Sequence, residues 1–421
     1  MNKNTYSTID LSARRNAQTG IKMKEIVIFT MGTRGDVQPY IYLAKELLKE
    51  GFKPVLGSHP CWRDLVSETG LEFVPIGPDI DIEYEAAVIR GKTKSPVLSM
   101  LKTMQFVFRI IQNSSSDIYD ACKGKDLVII SHSHMGAAEA EALKIKTIDV
   151  TLQTEMLPRE NTDPTLKDKV LGALINPQVV KPYNKIRKLY DLPPIKSMDQ
   201  MMSKELNLIP ISRYIAEPNP NWAKKNAVVG YWFAPEDNYQ PSEELESFLS
   251  EGIKPIILSL GAMSFESRQE KEKLDIFVKA FDQTGMRAII QGFNKTLIDY
   301  ELPESMIRAG SVPHSWLFKQ GCCVIHHCGF GTSASSMIYG IPSIPVPHVL
   351  DQFAFAEHIY RLKAGVKPIK AKELSTNRLI EAIDELNADY AQIYQNVTDL
   401  SRKMKAENGL EKSVQLIRNI I

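Results

Sequence analysis

The residues with the most legible chemistry stand between Val312 and Gln352, in the string VPHSWLFKQGCCVIHHCGFGTSASSMIYGIPSIPVPHVLDQ. A short apolar, β-prone run, CCVI, ends in His326-His327-Cys328-Gly329-Phe330-Gly331-Thr332, and the helix-like SASSMIYG follows. A strand that turns on glycines into a helix leaves unpaired backbone N–H groups and the positive end of the helix dipole where an anion can bind. Gly329 and Gly331 let a diphosphate come close to the backbone, and His327, Thr332 and Ser333 can add side-chain donors. A second strand, SIPVP, leads to Asp351-Gln352 at the start of the next helix. Both features then emerge at the carboxyl edge of one sheet, where ligands of α/β proteins bind. A carboxylate beside an amide reads vicinal hydroxyls, so the string suits a diphosphate joined to a sugar.

A second constellation lies near the amino terminus. Glu25 to Thr30, EIVIFT, reads as a buried strand, and Met31-Gly32-Thr33-Arg34-Gly35-Asp36-Val37-Gln38-Pro39 turns into the helix YIYLAKELLKEG. A hydroxyl is a poor nucleophile until a positioned carboxylate or imidazole accepts its proton, and Asp36 is placed for that task. Taken alone, an Asp in such a turn is more often a helix cap, here beside Arg34. Its coupling to the C-terminal string favours catalysis. An adhesive role for Arg34-Gly35-Asp36 is excluded by its place between a buried strand and its helix.

Together these residues resemble the signature of the GT-B glycosyltransferases related to sterol glucosyltransferases and to the enzymes that glycosylate glycopeptide and macrolide antibiotics. Val312-Pro313-His314-Ser315-Trp316-Leu317-Phe318, the His326 to Thr332 turn, Gly340-Ile341-Pro342, and Pro347-His348 through Asp351-Gln352 stand in the family's order. The string GTRGDVQP, residues 32–39, resembles the hallmark of the sterol-type branch, whose Asp is taken as general base. Ser259-Leu260-Gly261-Ala262-Met263-Ser264 resembles a strand end at which small residues admit the diphosphate, although alone it reads as an ordinary β-to-α turn. The resemblance implies donor contacts at Gly32, Arg34, Gly35, Ser259, Gly261, Ser264, Val312, His327, Gly329, Gly331, Thr332, Ser333, Asp351 and Gln352. Two departures stand out: Cys328 replaces a glycine common in bacterial members, and Ser335 replaces a ribose-binding glutamate of plant relatives. Val312 stands where plant relatives carry a base-stacking Trp, so backbone groups around Ser311 to Pro313 are expected to read the base, uracil first and thymine next.

Strand-like and helix-like segments alternate along the chain, as in parallel sheets covered on both faces. The expected strands are EIVIFT, KPVLGS, LEFVPI, DLVIIS, KTIDVT and LNLIPI, then PIILSLGA, RAIIQGF, CCVIHH and SIPVPH. Fold class is therefore α/β, and the resemblance implies two Rossmann-like domains facing across a cleft. The expected divisions are a mobile extension over 1–21, an acceptor-binding domain over 22–217 and an interdomain passage over 218–241. A nucleotide-sugar-binding domain over 242–386 follows, then a helical segment over 387–421 that braces the first domain.

Acceptor recognition falls to the N-terminal half. His132 and His134 follow the DLVIIS strand, and Gln153 and Thr154 follow the next, so all four are candidates for the acceptor or for aiding the base. Val97 to Ile111, VLSMLKTMQFVFRII, reads either as the lining of a lipophilic pocket or as core.

With 421 residues and 43% hydrophobic composition the chain can fill two cores, and 51 basic against 50 acidic residues give no field for nucleic acid. Cys61, Cys122, Cys322, Cys323 and Cys328 are odd in number and lack a framework spacing, which points to reduced thiols and a cytoplasmic location. No apolar run approaches the roughly 18 to 20 residues that span a bilayer, which leaves only transient membrane contact. His132-x-His134, His326-His327-Cys328 and Asp79-Ile80-Asp81 imitate metal motifs without the spacing of a closed site, so no metal and no cofactor is expected. A UDP-sugar is the expected co-substrate and a lipophilic hydroxyl compound, sterol or sterol-like, its partner. A tailoring enzyme for polyketides, flavonoids or phenols, a nucleotide-sugar binder without turnover, and an epimerase are the alternatives.

Overall fold

Strands buried on both faces need no polar alternation, and the apolar runs of this chain form such strands. The computed structural model describes residues 23–80, 84–85, 88–89, 96–152, 179–233, 239–260, 267–293 and 296–421. Its first sheet holds β1 (Glu25–Phe29), β2 (Lys53–Ser58), β3 (Glu72–Pro75), β4 (Leu127–Ile130), β5 (Lys146–Val150), β6 (Leu206–Ile209) and β7 (Asn226–Val228). The second holds β8 (Ile256–Ser259), β9 (Ala288–Gln291), β10 (Met306–Ala309), β11 (Cys323–His326) and β12 (Ser343–Pro345).

The two sheets share a plan. The first runs β3-β2-β1-β4-β5-β6-β7 and the second β10-β9-β8-β11-β12, with every pairing parallel. In each, strand order reverses beside the opening strand, between β1 and β4 and between β8 and β11. Ligands of open α/β sheets bind at the carboxyl ends of such switch points. Register aligns the chemistry there, since Phe29 pairs with Ile130, and Ser259 pairs with both His326 and Gln291.

Helices return the chain over both faces. They include α1 (Arg34–Lys49), α2 (Pro96–Asn113) and α3 (Ala137–Ala142), then α4 (Ser267–Gln283), α5 (His314–Gln320), α6 (Phe330–Ile338) and α7 (Leu350–Arg361). After them come α8 (Thr376–Ala388), α9 (Tyr390–Lys405) and α10 (Gly409–Arg418). One face of the second sheet packs Leu258, Ile290 and Ile325 against Phe277 and Phe281 of α4, and the other packs Ile257, Ile289 and Val324 against Leu317 and Phe318 of α5. In α2, Ile110 and Ile111 are buried in the core of the first sheet with Phe106, Val107 and Phe108 against them, so this end of the apolar stripe is core.

The described residues divide into two compact units, one of residues up to 152, 179–232 and 408–421, the other within 233–407. Three features differ from the sequence reading. Residues 218–241, expected as a passage, contribute β7, hydrogen-bonded beside β6 in the first sheet. Its three residues, Asn-Ala-Val, are half-buried at a sheet edge and carry no strand pattern. β10 was likewise unforeseen, because exposed Arg308 interrupts its short apolar run. Residues 387–407 belong with the second unit, and only from Asn408 does the chain rejoin the first. There α10 packs on α1, the Trp232 indole N–H donates to Ser413 Oγ at 2.8 Å, and Arg418 pairs with Glu50 at 2.8 Å. Residues 1–21 lie outside the described residues.

Candidate active site

The turn after β1 is organised by its own carboxylate. Asp36 Oδ2 accepts the Thr33 N–H at 2.8 Å and the Thr33 hydroxyl at 3.1 Å, which fastens the first turn of α1. Thr30 Oγ donates to the Asp36 carbonyl at 3.0 Å. Gly32 sits at φ +128°, and a Cβ there would lie 2.3 Å from Asp36 Oδ2, so only glycine lets the carboxylate fold back. Arg34 is exposed with its Nε on Gln38 Oε1 at 3.2 Å, and Gly35 continues the helix. Asp36 is thus a helix cap, and it is half-buried, with Oδ1 free of hydrogen-bond partners among the described residues. A carboxylate held by one oxygen can present the other.

Beside it in the sheet, β4 ends in a tight turn. Ser131 N–H donates to Phe29 O at 3.2 Å, and Ser131 and Ser133 hydroxyls pair at 2.9 Å. His134 takes φ +53°, is 8% exposed and lies edge-on to Tyr183, with ring centroids 6.1 Å apart. Burial first, then the neighbouring His132, push its imidazole down to about 4, so it is neutral near pH 7. The Nδ1 atoms of both His132 and His134 are buried without a partner among the described residues. Gln153, Thr154 and Asp81 lie outside the described residues.

The second switch point carries the opposite arrangement. β11 ends at His326, and Gly329 is the N-cap of α6, where it offers no side chain to the first turn. No acidic residue stands in that turn. A first turn without a carboxylate or side-chain cap leaves its backbone N–H groups to other acceptors, the arrangement in which helix starts can bind anions. A Cβ on Gly329 would lie 2.4 Å from His327 Nε2, so this glycine lets the imidazole rest against the turn. His327 is half-buried with Nδ1 unpartnered among the described residues, and desolvation pushes it down to about 4 against a hydrogen bond to the Ser259 backbone. A neutral imidazole donates without adding charge. Gly331 lies in the first turn, Thr332 is 6% exposed, and Ser333 is buried with a hydroxyl unpartnered among the described residues. Gly261 and Ser264 lie outside the described residues, while Ser259 is buried at the end of β8.

Asp351 and Gln352 open α7, which packs on α6 through Phe330 and Phe355, ring centroids 6.1 Å apart. Gln352 Oε1 accepts the N–H groups of His348 at 2.8 Å and Val349 at 3.2 Å, so its carbonyl oxygen already caps its own helix. Asp351 stands half-buried in the first turn. His348 is pushed down to about 3 by burial first, then by the charges of Lys273 and His327.

With two switch points so furnished, the comparisons with known proteins fall into line. Residues 26–165 match the glycosyltransferase family 28 N-terminal domain, and residues 288–415 match the C-terminal domain of the erythromycin biosynthesis protein CIII-like group. This chain has the GT-B fold. A sterol 3-beta-glucosyltransferase of Candida albicans is 31% identical over 93% of this chain, which spans 27% of that protein. One of Arabidopsis thaliana is 28% identical over 93% of this chain, which spans 64% of it. The chain thus covers about a quarter of the length of the first and under two thirds of the second. Among solved structures, the glycotransferase of kitacinnamycin superposes with a TM-score of 0.72 at 18% identity, covering 95% of this chain and 99% of the other. The glycosyltransferase VinC in complex with dTDP gives 0.69 at 18%, covering 94% and 98%.

Within this fold Cys328 has a backbone reason. Cys328 sits at φ +65°, a left-handed conformation that glycine adopts most readily. Here the buried His326 imidazole supports it, since Nδ1 accepts the Cys328 N–H at 3.2 Å. Val312 is buried in the core, its N–H donates to Gly310 O at 2.9 Å and its carbonyl accepts from Gln291 Nε2 at 2.7 Å. The segment expected to read the base is therefore held by the fold rather than open. Gln291, the last residue of β9, escaped the sequence reading because RAIIQGF looks like any buried strand with a polar end.

Proposed function

We propose that this GT-B protein is an inverting glucosyltransferase that moves glucose from UDP-glucose to the hydroxyl of a sterol or sterol-like alcohol. The observation that carries the reading is the glycine-capped start of α6 beside His327, in a chain that aligns over 93% of its length with sterol 3-beta-glucosyltransferases. In this reading the α6 N-terminus, His327, Thr332 and Ser333 meet the diphosphate, and Asp351 and Gln352 bond the sugar hydroxyls. Asp36 takes the acceptor proton as the hydroxyl oxygen attacks the anomeric carbon, and the bond to the diphosphate oxygen breaks on the opposite face. An α-linked donor thus yields a β-glycoside. Fixed donors aimed at the departing charge lower the barrier without reorganising, which is the usual dominant contribution in such sites. Among the described residues no group of three or more His, Cys, Asp or Glu side chains is arranged to hold a metal ion.

A second reading, dTDP-sugar transfer to a natural product, is favoured by structural neighbours solved with thymidine diphosphate. Mass spectrometry of products from UDP-glucose and dTDP-glucose, each with a mixed library of sterols and phenols and with a strong chelator present, separates the two. Glucosylated sterol from UDP-glucose alone is expected. Phenol glycosides from dTDP-glucose would replace this reading with the second, and no product from either donor would remove the catalytic claim.

A further inference from the structure

Gln291 uses every hydrogen-bonding valence of its amide within one small region. Nε2 donates to the Val312 carbonyl at 2.7 Å and to the Gly310 carbonyl at 3.4 Å. Oε1 faces Ser259 Oγ and His314 Nε2, each at 3.1 Å. Two carbonyl oxygens on one side settle which way the amide points, because the reversed amide would set oxygen against oxygen. Oε1 is then an acceptor, so His314 Nε2 must carry a proton to donate to it. The His314 ring is also stacked on Phe318 of its own helix, with centroids 4.4 Å apart and planes 15° from parallel. Segment 310–314 is thereby fixed at two carbonyls and one ring, and Val312 closes a turn onto Gly310.

The place of this clamp matters. Ser259 ends β8 and Gln291 ends β9 in direct register, with His326 of β11 on the other side of Ser259. The clamp therefore ties the segment after β10 to the switch point where α6 begins. We propose that Gln291 is the positioning residue of the donor site: it presets segment 310–314 for the nucleoside of a nucleoside-diphosphate sugar and holds His314 as its Nε2–H tautomer. This rests on the donor assignment made above. A segment already fixed need not be ordered when ligand binds, so the clamp acts on affinity rather than on the chemical step.

The test replaces Gln291 with Met, which keeps the length and removes all four hydrogen bonds, and with Glu, which sets a carboxylate oxygen against the Gly310 and Val312 carbonyls. Both variants are expected to raise the Kd for UDP and the KM for UDP-glucose by about tenfold, with kcat within about twofold. Nitrogen NMR of His314 is expected to show Nε2 protonated in the parent and a mixture of tautomers in Gln291→Met. A fall in kcat at unchanged KM and Kd would assign Gln291 a merely structural role and overturn the proposal. So would a single unchanged His314 tautomer in Gln291→Met. If the parent itself binds no UDP, the donor assignment fails, and the tautomer measurement still decides whether the clamp exists.

Discussion

α1 and α6 begin at equivalent places, each just past the switch point of a parallel sheet, yet their first turns are finished in opposite ways. At α1 the chain supplies its own anion, because Asp36 folds back onto Thr33 and satisfies the helix start internally. At α6 the cap is Gly329, no carboxylate stands in the first turn, and the polar neighbours are a neutral imidazole and two hydroxyls. One helix start is thus satisfied by a carboxylate of its own chain, while the other has only neutral polar groups beside it. Fold repetition therefore sets where chemistry can occur, and the cap residue sets its sign.

The sharpest way to break this comparison is Asp36→Asn. An amide oxygen can still accept the Thr33 N–H, so the cap survives while the base is lost. Turnover is expected to fall about 10³-fold, within the usual range for a general base, while UDP-glucose binding by calorimetry changes little. Normal turnover with a lowered Tm would reduce Asp36 to its capping role and move attention to His132 and His134.

His327→Ala addresses the other helix. Loss of a donor aimed at the departing diphosphate is expected to raise the barrier by about 3 kcal/mol, or roughly 10²-fold in kcat. An unchanged kcat would mean that the backbone of α6 suffices. Next in size, Asp351→Ala is expected to weaken UDP-glucose binding about tenfold relative to free UDP, because a charged hydrogen bond to a sugar hydroxyl is absent in UDP. Gln352→Ala should do the same and in addition lower stability by about 1 kcal/mol, since Oε1 caps α7. Equal losses for UDP and UDP-glucose would contradict this division.

The smallest effect concerns pH. His327 and His348 are held down to about 4 and about 3 by burial, so both stay neutral on mild acidification. UDP-glucose affinity is therefore expected to change less than about twofold between pH 7.5 and about pH 5.5, whereas an ordinary imidazole would charge in that window and tighten anion binding. For stability the sign is different. The unfolded chain binds protons near pH 6.5 while the native imidazoles do not, so these groups stabilise above about pH 6.5 and that contribution is lost as pH falls towards 4. Asp149, pushed up to about 7 by burial, works in the opposite sense. Thermal unfolding of His348→Gln across this range isolates the histidine contribution as a flatter acid limb.

Much of this was legible in the sequence because it is local. Apolar runs followed by glycine located β1, β4, β8 and β11, and glycines 32 and 329 marked the two turns whose geometry requires them. What escaped depends on contacts distant in sequence. β7 and β10 are short edge strands whose pattern is set by a neighbour, and the Gln291 clamp joins residues up to 55 apart in the chain. The dual duty of Asp36 was visible only as two competing readings, and its geometry accommodates both. Gln352 was read as a sugar ligand, and its carbonyl oxygen proved to be committed to the backbone.

The return of α10 to the first unit sets an order of assembly. Residues 409–418 pack on α1, Trp232 waits for Ser413, and Lys146 reaches the Ile420 carbonyl at 2.7 Å. On a ribosome the first unit cannot finish its surface until the whole of the second has been made, so a domain that would ordinarily fold as soon as it emerges is kept incomplete. Completion of the first unit thus reports that translation has passed through the second.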